Sequence, residues 1–186
     1  KSLGVDQSTF ITTMGAFPTG VTVVTTVDRQ GKPRGLTCNA FTSVSVTPPL
    51  LLICVSKESV TLNALLDTRR FAINFLARGR GELANHFASK HPDKFAQVTW
   101  ARSARGMPLL IQDAIAFADC SVVQTVEAGD HYVLIGLVEE AQPPSPKSEP
   151  LVYFRKRYGT VQFDPCRQIN SGDMNSESSL PLEVES

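Results

Sequence analysis

A mainly β protein, built as an antiparallel barrel of six or seven strands with a few short helices at its ends and edges, is what this sequence predicts. Three observations carry that expectation. The run Val21-Thr22-Val23-Val24-Thr25-Thr26-Val27 is β-branched throughout, and residues 50–55 are a continuous apolar stretch of strand length. Two long strand candidates, residues 114–127 and 131–141, are separated only by Ala128-Gly129-Asp130, a connection of hairpin size. At 186 residues and 42% hydrophobic, the chain can fill one sizeable core and hardly two.

In chain order, residues 10–17 read as a short helix ended by Pro18, after which Gly20 releases the chain into the first strand, residues 21–27. Asp28-Arg29-Gln30-Gly31-Lys32-Pro33 is turn chemistry, and a second extended stretch over residues 34–46 completes a hairpin. Beyond the Pro48-Pro49 break, residues 50–55 are expected as a strand buried on both faces. Ser59 or Thr61 can cap a helix running to residue 67, because Val60, Ala64 and Leu65 fall near three- and four-residue spacing. Residues 71–76 return to an apolar extended pattern, and a further helix is expected over residues 82–89. After the two long strands, Pro143-Pro144-Ser145-Pro146 is a stiff loop and residues 151–154 a last short strand. The chain thus divides into a barrel domain over residues 1–163 and a polar tail over 164–186, whose composition does not support a packed core of its own; a second subunit is expected to hold it.

Charge and motif content exclude several function classes. Eighteen basic and eighteen acidic residues cancel, so no field of one sign draws the protein to nucleic acid or an anionic membrane. No apolar run approaches the roughly 20 residues of a membrane span, and the first residues lack the basic-then-apolar pattern of a secretion signal; a soluble cytoplasmic protein is expected. Cys38, Cys54, Cys120 and Cys166 are scattered without a C-x-x-C pair, which argues for buried thiols rather than a disulfide framework or a zinc site. His86, His91 and His131 lie far apart and no carboxylate completes a metal-ligand spacing, so no metal is expected. Neither a glycine-rich dinucleotide fingerprint, a P-loop nor a G-x-S-x-G elbow is present.

Two small-polar clusters remain as candidate sites. Thr37-Cys38-Asn39-Ala40-Phe41-Thr42-Ser43-Val44-Ser45 crowds short hydroxyl and amide donors between apolar strands, and can hold a phosphate or the polar edge of a heterocycle without net charge. Composition alone favours a solvent-facing edge strand there. Ser56, Ser59 and Thr61 sit at the start of a helix, where anions are favoured, although capping by itself accounts for them. Likewise, His131 alone reads as a turn histidine bonding within its own loop.

Taken together, Phe17-Pro18-Thr19-Gly20-Val21, the 37–45 segment with Pro48-Pro49-Leu50 after it, Phe71-Ala72-Ile73-Asn74, Lys94-Phe95 and Gly129-Asp130-His131 resemble the flavin reductase-like family, whose fold is a split β-barrel. The resemblance runs over residues 10–163 and is greatest to the short-chain reductases of two-component flavin-dependent monooxygenases. It implies that Thr37, Cys38, Asn39 and Ala40 lie against a flavin ring and phosphate, with Ser45 a nearby polar contact and Ser56, Ser59 and Thr61 a phosphate-receiving loop. Phe87, Lys94 and Phe95 match a region near the adenine side. Gly129 and Asp130 form the turn that sets His131 where nicotinamide meets flavin, and Arg155 and Tyr158 match a late segment closing the site. Many relatives carry consecutive serines where this chain has Asn39-Ala40, so one hydroxyl contact to the flavin is lost.

The implied activity is hydride transfer from NADH to FAD or FMN, with reduced flavin passing to a separate monooxygenase component. His131 would act by position, since the cofactors carry the chemistry. NADH is favoured over NADPH because no basic cluster awaits a 2′-phosphate. A homodimer is implied, and neither nucleic acid nor membrane is expected as a partner. A non-catalytic flavin-binding split barrel and a pyridoxamine-phosphate oxidase-like flavoenzyme are the alternatives.

Overall fold

The computed structural model describes residues 4–146 and 148–163; the polar tail and Cys166, with the expectation that a second subunit holds that tail, lie outside the described residues. In chain order the elements are α1 (Gln7–Met14), β1 (Thr19–Gly20), β2 (Thr22–Val27), β3 (Pro33–Cys38), β4 (Phe41–Ser45), β5 (Leu50–Ser56), α2 (Leu62–Thr68) and β6 (Arg70–Leu76). They continue with α3 (Gly81–Ala88), β7 (Ala101–Arg102), β8 (Pro108–Leu109), β9 (Ala114–Ala128), β10 (His131–Gln142), β11 (Val152–Phe154) and β12 (Arg157–Gly159).

Seven strands form one antiparallel sheet in the order β3-β2-β6-β9-β10-β5-β4. Its outermost strands, β3 and β4, are joined by only Asn39 and Ala40, so the sheet must curl until its two edges meet. The Cys54 N–H donates to the Ala40 carbonyl at 3.0 Å, one step beyond the β4–β5 pairing, and β3 reaches the same place through the Cys38 thiol, which donates to the Ala40 and Cys54 carbonyls at 3.5 and 3.6 Å. This seam makes the barrel. A three-stranded sheet, β1-β11-β12, and a two-stranded one, β7-β8, flank it.

Inside the barrel, Val24, Ile53, Val55, Leu65, Phe71, Ile73 and Leu134 are fully buried in one cluster. Each such side chain contributes about 1.5–3 kcal/mol by leaving water. A second cluster under α3 joins Val21, Val23, Leu76, Phe87, Phe95 and Leu110, and fixes the helix against the barrel end. On the outside of β2, β6 and β9 a loop from β7 to β8 is tied down by polar groups. Ser103 Oγ donates to the buried Asp119 carboxylate at 2.5 Å, and Thr25 Oγ1 donates to the Pro108 carbonyl at 2.5 Å.

Several expectations need correction. The stretch over 34–46 is two strands, not one: β3 pairs with β2 and β4 pairs with β5, on opposite edges of the sheet. The strand over 50–55 is not buried on both faces. Leu51, Ile53 and Val55 are buried while Leu50, Leu52 and Cys54 keep partial exposure, as a barrel wall with one inner face requires. The first helix begins earlier than residue 10, because the Asp6 carboxylate accepts from the Thr9 N–H at 3.0 Å and caps it, and it ends at Met14, before Pro18 can act. Among the described cysteines, Cys38 and Cys120 are buried and Cys54 is half-buried.

Candidate functional site

The edge seam opens a cavity of about 350 Å³. It is floored by residues 36–40 at the end of β3, bounded by Cys54 and Ser56 of β5 and by residues 58–60 of the following turn, and closed by residues 87–90, Lys94 and His131. Of the residues expected at a site, it brings together Thr37, Cys38, Asn39, Ala40, Ser56, Ser59, Phe87, Lys94 and His131.

Strand register explains why they meet. His131, the first residue of β10, pairs with Ser56, the last of β5, so the start of one long strand lies beside the end of another. The two strands β9 and β10 are joined by Gly129-Asp130, with Gly129 at φ +59°, a left-handed first turn position for which glycine is suited. Asp130 Oδ1 lies 2.8 Å from His131 Nδ1 and holds the imidazole, and the histidine's pull keeps the Asp130 carboxyl below its ordinary range. The His131 side chain stays 43% exposed and is open to a ligand. The Lys57 N–H donates to the Asp130 carbonyl at 2.9 Å, tying this turn to the serine turn next to it.

The serine turn is prepared for an acceptor. Ser56 Oγ accepts from the Glu58 N–H at 3.2 Å and Ser59 Oγ accepts from the Thr61 N–H at 3.3 Å. Each hydroxyl is oriented by an incoming bond and keeps its own proton for a ligand. Lys90 adds a cation on the same rim. Apolar surface from Leu36, Cys54, Val60 and Phe87 supplies the walls for a flat ring. Hydroxyl donors and a cation at one end, an apolar slot, and a fixed imidazole together fit a flavin with its phosphate towards the serines.

Other expected residues are engaged elsewhere. Thr37 lines the cavity, but its hydroxyl donates to the Ala84 carbonyl of α3 at 2.5 Å, leaving lone pairs and a methyl for any ligand. Thr61 is buried outside the cavity, its hydroxyl donating to the Gly35 carbonyl at 3.0 Å. Lys94 is buried, and its ammonium donates to the Gly35 and Phe87 carbonyls at 3.2 and 2.6 Å; burial lowers its pKa from the ordinary value. Phe95 is core, packed edge-to-face on Phe87 at 5.1 Å and on Trp100 at 5.9 Å. Ser45 pairs with Leu50, six residues and roughly 20 Å along β5 from Ser56, outside the cavity. Gly129, Asp130 and Arg155 do not line it, and Tyr158 lines an adjoining cavity.

Burial pushes the Cys38 thiol up to about 11 and the Cys120 thiol up to about 12, away from the thiolate form. Residues of the cavity that sequence reading passed over are Leu36, Cys54, Glu58, Val60, Ala88, Ser89 and Lys90. A usable signal existed for Cys54 and Ser56, which alternate on one face of β5; none marked Lys90, an exposed lysine two residues past a helix. Among the described residues no group of three His, Cys, Asp or Glu side chains could hold a metal ion, and no helix is long and apolar enough to cross a membrane.

Comparison with known proteins gives a consistent result. Residues 14–162 match the flavin reductase like domain. The chain is 44% identical over 164 residues to a protein named flavin reductase (NADH) from Kitasatospora aureofaciens, covering 87% of this chain and 86% of that one. It is 37% identical over 162 residues to HsaB, the reductase subunit of a flavin-dependent monooxygenase from Mycobacterium tuberculosis, again covering 87% and 86%. The NADH:FAD oxidoreductase SgcE6 of Streptomyces globisporus C-1027, solved with NAD and FAD fragments, aligns with a TM-score of 0.77 at 36% identity, covering 90% of this chain and all of that one, 100%.

Proposed function

This chain belongs to the flavin reductase-like family, and from that premise we propose how its cavity serves an NAD(P)H-dependent flavin reductase that supplies reduced flavin to a separate monooxygenase component. The reaction passes hydride from nicotinamide C4 to flavin N5. Bound flavin supplies the ring that accepts the hydride. The chain's own work is positional: Ser56 and Ser59 would hold the phosphate, residues 37–40 would meet the polar edge of the ring, and His131, bonded to Asp130, would contact the nicotinamide. The apolar walls keep water from the ring faces.

The observation that carries this assignment is the β5–β10 register, which sets the serine turn and the Asp130-held histidine side by side on one cavity. NADH is the favoured donor, with FAD or FMN as acceptor. The test is loss of nicotinamide absorbance by the purified protein with FAD, FMN and riboflavin, each with NADH and NADPH. Steady, flavin-dependent oxidation is expected. Tight yellow binding without oxidation would instead identify a flavin holder.

A homodimer belongs to the same reading. Its support is apolar surface that this chain does not cover itself: Phe10, Ile11 and Met14 of α1 are more than half exposed, and on the outer barrel wall Leu52 pairs with Ile135 and Cys54 with Val133.

A further inference from the structure

One group in the cavity at the seam is at odds with a phosphate site. Glu58 lines it together with Ser56 and Ser59, and among the described residues it is the one carboxylate that does so. The turn fixes its place. The Ser59 N–H donates to the Ser56 carbonyl at 3.0 Å, which makes Lys57 and Glu58 the central residues of a four-residue turn, and the Glu58 N–H donates to Ser56 Oγ at 3.2 Å. The backbone of Glu58 is thus bonded to one of the two hydroxyls read as phosphate donors.

Its charge is left uncompensated. The neighbouring Lys57 ammonium donates to Glu127 Oε1 at 2.5 Å, and among the described residues no cation lies within ion-pairing distance of the Glu58 carboxylate. Two lysines line the same cavity. The ammonium of Lys94 is buried and engaged by the Gly35 and Phe87 carbonyls, so Lys90 is the cation on the rim that remains to meet an anion. Glu58 itself is exposed and its backbone is not left-handed, so neither packing nor turn geometry calls for a carboxylate at this position.

We propose that Glu58 holds flavin affinity down: its charge opposes the phosphate bound by Ser56 and Ser59, so that flavin is taken up as a substrate and released after reduction rather than kept as a resident group. This rests on the flavin reductase reading of the cavity. The phosphate of FMN is a monoester with nearly two charges at neutral pH, the corresponding phosphate of FAD is a diester with one, and riboflavin has none. Repulsion between one unit charge and nearly two, at the separation of neighbouring turn groups, is worth about tenfold in affinity even at the dielectric of water.

The test is fluorescence titration of FMN, FAD and riboflavin into the native protein and Glu58→Gln, which keeps the length of the side chain and removes its charge. FMN should bind about tenfold tighter in the variant, FAD tighter by a smaller factor, and riboflavin with native affinity. The gain for FMN should shrink as salt is raised, and stopped-flow displacement should show FMN leaving the variant more slowly. Unchanged FMN affinity, or an equal change for riboflavin, overturns the proposal, and a gain confined to the association rate overturns the part of it that concerns release. A native protein that binds no flavin and oxidises neither nicotinamide would overturn the reductase reading itself, a separate result.

Discussion

Ser59 and His131 line one cavity and should fail in different ways. Ser59→Ala removes one hydroxyl donor to a phosphate, at about 1.5–3 kcal/mol, so flavin affinity should fall about tenfold or more, while the ligand-free protein loses only the Thr61 N–H bond and its thermal transition falls by a few degrees at most. His131→Ala removes the imidazole held by Asp130 and should slow flavin bleaching in stopped flow and raise the KM for NADH while flavin affinity is kept. Equal loss of flavin binding in both variants would move His131 to the flavin shell. A third residue, Asp119, tests burial rather than catalysis. Burial raises its pKa from the ordinary 3.8, against the lowering influence of Ser103, Arg70 and Arg105. With the folded value above the unfolded one, its ionised form is disfavoured in the fold, so the native protein gains from this group as pH falls through the raised pKa towards 3.8. The Tm difference between the native protein and Asp119→Asn should therefore shift in the native protein's favour as pH falls from neutral; a constant difference would show that Asp119 titrates normally. At this scale the sequence was informative about residue type. It could not tell that the Thr37 hydroxyl bonds to Ala84 or that Lys94 bonds to Gly35, because both partners come from remote strands and helices.

Among the elements, those with strong local signals were legible: the β-branched β2, the long pair β9 and β10 with glycine at the turn, and the two short helices α2 and α3 within a residue or so. The stretch over 34–46 misled because its residues suit an extended chain throughout; what divides it is pairing with two different strands, a long-range fact. The strands β1, β7, β8 and β12 are two or three residues long and carry no period to read. The β11–β12 tip lacked a turn signal altogether, since arginine and lysine occupy positions that cost roughly 1–2 kcal/mol each outside glycine. One element makes a sharp prediction. In β10, a Cβ on Gly136 would stand 2.7 Å from Phe71 Cζ and 3.1 Å from Cys120 Cβ, and Phe71 is fully buried with nowhere to go. Gly136→Ala should therefore destabilise by roughly 1–3 kcal/mol, read as a lower denaturation midpoint at unchanged slope. A neutral substitution would show that the inner wall has slack there.

For the whole molecule, the exposed apolar face of α1 and the half-exposed outer wall of β5 and β10 call for a partner surface, and light scattering should return about twice the 20.2 kDa chain mass. A monomer at micromolar concentration would reject the homodimer. The closure of the sheet has a different consequence, in how the molecule breathes. Asn39 and Ala40 are at once the wall of the cavity and the two-residue link between the outermost strands, and the Ala40 carbonyl is bonded to the Cys54 amide of β5, the strand next to β4. Most binding loops open locally at little cost, long before the rest of the protein unfolds. Here the link is held on both sides: freeing it means parting β4 from β5 and breaking the Cys38 thiol contacts that tie β3 to the same place. The amide proton of Cys54 should accordingly exchange with solvent only through global unfolding, with the same denaturant dependence as buried amides of β6, and saturating flavin should slow it no more than it slows those. Faster exchange at Cys54 than at β6 would reveal a hinge at the seam. A cavity wall with the stability of the entire fold arrives already shaped, so ligands come and go without the chain having to be ordered around them each time.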